Sequence, residues 1–281
     1  LSNPAASGTS SGATLLLDHA GYGGYDLGNA AYDSVSFSVA AQDATPYGIA
    51  FNTDGSKMYM VGAISDSVYQ YSLSTAFDLS TVSYDSVSFS VAGQDATPRD
   101  IAFNTGGSKM YMVGNSNDSV HQYSLSTAFD LSTASYDSVS FSVAGQDTIP
   151  VGIAFNTNGT KMYMVGAAND SVYQYSLSTA YDLSTASYDS VSFSVAGQDT
   201  QPYGMAFSTD GSKMYMVGVS NDSVYEYSTA TPATITYNSA LKWPSGTAPT
   251  SPAIGETDVI TFNTTDGGTT YKSALAIDGA K

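Results

Sequence analysis

The chain has no cysteine, which excludes disulfides, thiolate-ligated zinc and thiol catalysis. It is also poor in bases: eight Lys and Arg stand against 25 Asp and Glu, for a formal net charge of −17 at pH 7. Such a surface repels phosphates and anionic headgroups, which argues against nucleic acid and membrane surfaces as partners. Histidine and glutamate are scarce too, with only His19, His121, Glu226 and Glu256. No apolar run approaches the roughly 20 residues of a membrane-spanning helix, the longest candidate being Leu15-Leu16-Leu17. No basic segment followed by an apolar one marks a secretory signal. The chain opens on Leu1, as a processed product or a fragment does, so a signal or anchor upstream is compatible with it.

What is present can still build a core. Apolar residues make up 42% of the 281, and 22 of them are Tyr, large side chains that bury area while keeping a polar handle.

Repetition decides the fold class. Tyr32-Asp33-Ser34-Val35-Ser36-Phe37-Ser38-Val39 recurs at Tyr84, Tyr136 and Tyr188, a spacing of 52 residues that Phe51 and Lys57 also keep. In each copy Asp33–Val39 alternates Val and Phe with Ser, the period of a half-buried strand. Gly48-Ile49-Ala50-Phe51 follows, and Asn52-Thr53-Asp54-Gly55 is hairpin chemistry. Lys57–Gly62 is apolar on both faces, and Val68–Leu73 completes four strands per copy. That is the size of a propeller blade. The expectation is an all-β chain: a Gly/Ser/Ala-rich leader over 1–24, a propeller of four repeats over 25–228, and a small β module over 229–281. If Ser34–Val39 is an outermost strand, the N-terminal segment supplies the fourth strand of the last blade and closes a four-bladed ring. An eight-bladed ring made by two chains, or an open stack, is the alternative.

Chemistry is sparse. His121 stands where other copies have Tyr69, Tyr173 and Tyr225, a packing or contact position rather than a catalytic base. Two carboxylates roughly 5–10 Å apart would be needed for glycoside hydrolysis, yet the acids mostly repeat with the blades, and an active site needs asymmetry. Asp43, Asp95, Asp147 and Asp199 precede the innermost strand. A closed ring gathers them near the channel, where Ca²⁺ is the candidate occupant; turn capping through backbone amides is the reading preferred. Asp66, Asp118, Asp170 and Asp222 read as Asx-turns. The Met-Tyr-Met runs read as gap-filling core. No cofactor is expected.

The copies differ where information would be stored. Tyr47-Gly48 becomes Arg99-Asp100, Val151-Gly152 and Tyr203-Gly204, and Ala63-Ile64-Ser65 becomes Asn115-Ser116-Asn117. In a propeller both connections lie on one face. A diversified face on a constant scaffold is how a recognition surface is built. Tyr47, Arg99, Asp100, Tyr203, Asn115, Asn117 and His121 are therefore the candidate ligand-binding residues.

The repeat, from Tyr-Asp-Ser-Val-Ser-Phe-Ser-Val to Asn-Asp-Ser-Val-Tyr-Gln-Tyr-Ser, resembles those of tail-fibre-like virion proteins of tailed phages. Lys242-Trp243-Pro244 and Phe262–Tyr271 are similar to C-terminal modules of that group. The Pro-x-Gly-Ile-Ala-Phe pattern also resembles lactonase-like propeller repeats. The resemblance implies a non-enzymatic adhesin on a virion surface or in an extracellular setting. Its partners would be a host-surface glycan or protein and other virion subunits, with homo-oligomers formed through the termini. A structural subunit of an extracellular filament or capsid decoration is the alternative, and a hydrolase using channel-facing acids is the third class.

Overall fold

The computed structural model describes residues 31–229, together with the backbone of four further strands. The first of these, β1, spans Gly12–Asp18. Blade one consists of β2 (Pro46–Phe51), β3 (Lys57–Gly62), β4 (Ser67–Leu73) and β5 (Val82–Ser90). Blade two follows as β6 (Pro98–Phe103), β7 (Lys109–Gly114), β8 (Ser119–Leu125) and β9 (Ala134–Ser142). Blade three is β10 (Pro150–Phe155), β11 (Lys161–Gly166), β12 (Ser171–Leu177) and β13 (Ala186–Ser194). Blade four holds β14 (Pro202–Phe207), β15 (Lys213–Gly218) and β16 (Ser223–Ser228). Each of these four sheets is an antiparallel meander, and the four are set in a ring as a four-bladed β-propeller.

Residues 1–30 and 230–281 form a separate compact unit from residues 31–229. There β1, from the segment read as a leader, pairs antiparallel with β18 (Thr257–Thr264). β19 (Tyr271–Ala280) pairs with β18 on one side and in parallel with β17 (Leu241–Lys242) on the other.

Local chemistry explains the blade. The hairpin between its first two strands turns at Gly55, whose φ of +71° lies in the left-handed region that favours glycine. The Phe77 ring also covers this residue, and a Cβ there would come within 2.3 Å of it. The connection after β4 carries a single 3-10 turn, Leu79–Thr81, capped by Asp78 through the Ser80 N–H. The fourth strand contains a bulge, with Ser86 at φ 58° and the register shifting between Gln70 and Tyr71. The bulge brings Asp85 to Lys57 Nζ at 3.1 Å and to Gln70 Nε2 at 2.8 Å.

Blades join through a repeated device. Tyr59 is fully buried, its ring 4.4 Å from that of Phe103, and its hydroxyl donates to the Phe129 carbonyl. Gln70 Oε1 accepts from the Leu131 N–H at 2.8 Å, which seats Leu131 in the junction. One blade on, Tyr111, Phe155, Tyr181, Gln122 and Leu183 repeat the arrangement.

One expectation is corrected. Residues 32–39 form no strand, and the last sheet remains three-stranded, with β16 at its edge. The reason is geometric. Ser34–Val39 lies against blade one, with Phe37 edge-on to Tyr71 at 5.8 Å. The innermost strands of successive blades approach closely, Gly48 at Asp100 and Gly152 at Gly204, whereas among the described residues nothing of blade one adjoins Gly204 in this way. The seam between blades four and one is open except at its inner end, where the Tyr47 and Tyr203 rings meet.

Candidate functional site

The diversified residues do lie on one face, because each repeated Asp staples the two variable connections together. Asp43 accepts from the Thr45 N–H at 2.7 Å and from the Ser65 N–H at 2.9 Å. Asp95, Asp147 and Asp199 make the same pair of bonds, to Thr97 and Asn117, Ile149 and Asn169, and Gln201 and Asn221. Although burial pushes the Asp43 carboxyl up, N–H bonds from Thr45, Ser65 and Ile64 hold it below the usual carboxylate range. The four carboxylates do not converge on the channel. Each packs on the glycine that ends its own blade's second strand, Gly62, Gly114, Gly166 or Gly218. Among the described residues no group of three or more metal-ligating side chains is found. Asp66, Asp118, Asp170 and Asp222 take positive φ in their turns.

Four of the seven candidate ligand residues meet at the channel mouth. The first strand of each blade begins with Pro, and the next two positions are Tyr47-Gly48, Arg99-Asp100, Val151-Gly152 and Tyr203-Gly204. The Tyr47 and Tyr203 rings lie 5.6 Å apart. The Arg99 guanidinium carbon is 4.3 Å from the Tyr47 ring centre, and Nη1 donates to the Tyr203 hydroxyl at 3.1 Å. Arg99 Nε is buried without a partner. These residues line a cavity of about 350 Å³ with Ile49, Met205, Val217 and Val224.

Asp100 occupies a place that is glycine in the other three copies. There is room for it because Gly48 sits alongside, where a Cβ would come within 2.4 Å of Asp100 Oδ1. Its two oxygens accept from the Ile101 N–H at 2.8 Å and the Ile153 N–H at 2.9 Å, which ties blade two to blade three. The side chain keeps some exposed surface toward the cavity but is crowded by protein on every other side. Burial pushes its pKa up to about 7, although both N–H groups pull it down. Burial likewise pushes Tyr203 up to about 12, against the pull of Arg99.

The other three candidates lie elsewhere. His121 is buried within blade two, its Nε2 3.3 Å from Asn117 Oδ1, and burial lowers its pKa. The Asn117 side chain also donates to the Gln94 carbonyl. The Asn115 N–H donates to the Thr97 carbonyl. None of the three lines the channel-mouth cavity. Sequence reasoning missed Ile49, Val217 and Val224, since the same residue types are core in other blades.

A larger cavity, about 800 Å³, lies between blades three and four and is lined by Phe155, Tyr163, Gln174, Phe193, Phe207 and Tyr227 among others. In the two preceding junctions Leu131 and Leu183 fill the corresponding place.

The fold defines the class, a repeat-built β-propeller, and this channel-mouth cluster breaks the symmetry of its repeat among the described residues. No family model matches the chain, and no curated protein does. Solved structures show a partial likeness. A putative 6-phosphogluconolactonase from Bacteroides fragilis is 12% identical, with 65% of this chain and 50% of that one covered and a TM-score of 0.45. One from Bacteroides uniformis is 15% identical, with coverages of 83% and 71% and a TM-score of 0.45. The periplasmic gluconolactonase of Pseudomonas aeruginosa is 14% identical, with coverages of 65% and 49% and a TM-score of 0.42. The chain thus spans half the length of the first of these. With these findings the reading as a non-enzymatic phage adhesin is corrected. The three neighbours are named as lactonases, and none of them is a phage protein.

Proposed function

We propose that the channel-mouth cluster is a hydrolytic site for a small, anionic, sugar-derived ester, with a lactone as the first substrate class to test. One observation carries the reading. The chain's one Arg and a carboxyl with a pKa of about 7 sit side by side in one cavity with two phenols, and they break the symmetry of the repeat. A group that titrates near neutrality can take a proton from an attacking water at the working pH. In that role Asp100 accepts the proton as the water oxygen bonds to the ester carbonyl carbon. The C–O bond to the leaving oxygen then breaks, and the proton passes to that oxygen to yield a hydroxy acid. Arg99 faces the substrate's anionic group or the developing oxyanion, and the Tyr203 hydroxyl, protonated at neutral pH, orients it. The names of the lactonase neighbours serve only to choose the first substrates.

The test is proton release from sugar δ-lactones, with and without a phosphate, followed against the spontaneous rate. Asp100→Asn keeps a hydrogen-bond acceptor for Ile153 and should lower the rate about 100-fold or more. Arg99→Lys keeps the charge but not the planar fork, and should raise KM more than it lowers kcat. Rates equal to the spontaneous one in the unaltered protein would sink the reading.

A further inference from the structure

The open seam presents two unmatched halves of one joint. On one side β16 is an edge strand, and Val217 and Val224 are 42% and 55% exposed, whereas their counterparts Val113 and Val120 are fully buried. On the other side Ile49 is 58% exposed, whereas Ile101 and Ile153 are core. Against the same blade, with Phe37 on Tyr71, lies Ser34-Val-Ser-Phe-Ser-Val39, the same sequence that forms the outer strand of blades one to three at Ser86, Ser138 and Ser190. It already has that strand's shape. Ser34 takes φ 60°, matching 58°, 58° and 60° at the three bulges. Phe37 meets Tyr71 edge-on as Phe89 meets Tyr123 and Phe141 meets Tyr175. A finished fourth strand with no sheet and a sheet with no fourth strand stand in one chain, and in this structure they do not pair.

We propose that a second copy of this chain completes the seam, with Ser34–Val39 of each copy adding to β16 of the other. The register follows from blade one, where Ser67 faces Ser90 and Val68 faces Phe89. Ser223 would face the other copy's Ser38, and Val224 its Phe37. Each copy carries both the donor strand and the acceptor edge, so a twofold axis satisfies both joints at once and the assembly closes. The pairing continues the blade-to-blade interface already present three times within the chain, and it removes an unpaired edge that would otherwise recruit strands indiscriminately. The joint contains one mismatch. Glu226 stands where Gln70 donates to Asp85 at 2.8 Å, so the incoming Asp33 would meet a carboxylate, with Lys213 beside it at 2.5 Å. Ile49, Val217 and Val224 also line the cavity that holds Tyr47, Arg99, Asp100 and Tyr203, so this proposal is tested by mass and cross-linking, which do not depend on turnover and keep its outcome distinct from that of the hydrolysis test.

Sedimentation velocity of the full chain should show a dimer, and Val224→Asp should leave a monomer with an unchanged far-UV spectrum. Glu226→Gln restores the amide donor and should tighten the dimer about ten-fold, as one added hydrogen bond and the relief of one like-charge repulsion would do. Because the chain has no cysteine, mixing a Phe37→Cys chain with a Val224→Cys chain under mild oxidation should give a disulfide-linked heterodimer. This readout holds even where Val224→Asp fails to fold. A monomeric unaltered chain overturns the proposal. So does an open-ended series of larger species, or a double Phe37→Cys/Val224→Cys chain that cross-links only within itself.

Discussion

The sealed junctions and the open seam are built from nearly the same residues, yet they differ in every physical respect. Between blades one and two, and again between two and three, a Tyr, a Leu and a pair of Val are buried, and two hydrogen bonds cross the joint. At the seam, the corresponding Val and Ile face outward. The same sequence is core or surface according to whether a neighbouring blade is present. This is the nearest-neighbour logic of repeat proteins, in which stability is roughly a sum of unit and interface contributions.

The largest test of that comparison is Leu183→Ala. Leu183 is fully buried in the junction between blades two and three, and its loss should cost about 2–5 kcal/mol in urea unfolding. Leu79, its counterpart in blade one, is only half-buried because no blade precedes it, so Leu79→Ala should cost less than half as much. Equal costs would break the comparison. Next comes the crossing hydroxyl. Tyr111→Phe leaves the Tyr181 carbonyl without its donor and should cost about 1–2 kcal/mol. Tyr163, one blade on, stacks on Phe207, but among the described residues its hydroxyl has no such acceptor, so Tyr163→Phe should stay within about 0.5 kcal/mol.

The smallest effect is a pH dependence of Tm. Asp100 titrates higher folded than unfolded, so the folded state holds more protons between about pH 4 and 7 and loses stability as pH rises through that window. Asp137 behaves oppositely. Burial raises its carboxyl, but hydrogen bonds from Lys109, Ser124 and Gln122 hold it below the usual range. Its contribution is present above the unfolded pKa and is lost as pH falls through the folded one. Relative to the unaltered chain, Asp100→Asn should therefore gain Tm at pH 8 and lose that advantage at pH 5, while Asp137→Asn should lose Tm at pH 8. A constant difference for Asp100→Asn across both pH values would show that its carboxyl is not displaced.

Much of the fold was legible because repetition supplies internal controls. The 52-residue period gave the blade, Ser-Val-Ser-Phe alternation gave its outer strand, and Asp54-Gly55 gave the hairpin. The site was half legible. Tyr47, Arg99, Asp100 and Tyr203 stood out by differing between copies and do meet. Asn115, Asn117 and His121 differed too, but Asn117 and His121 bond within blade two and none of the three lines the cavity. Variation between copies marks a face without saying which of its side chains converge.

The sequence alone determined what each unit contains: four strands, turns at fixed places and an apolar second strand, because these follow from local periodicity and turn chemistry. Only the tertiary structure decided how the units add up. It left the seam open, because the curvature of successive blades, rather than any local preference, sets the distance between the first blade and the last. It also set the Asp100 carboxyl near 7, because desolvation depends on what surrounds a group, and Gly48, Ile101 and Ile153 come from three different blades.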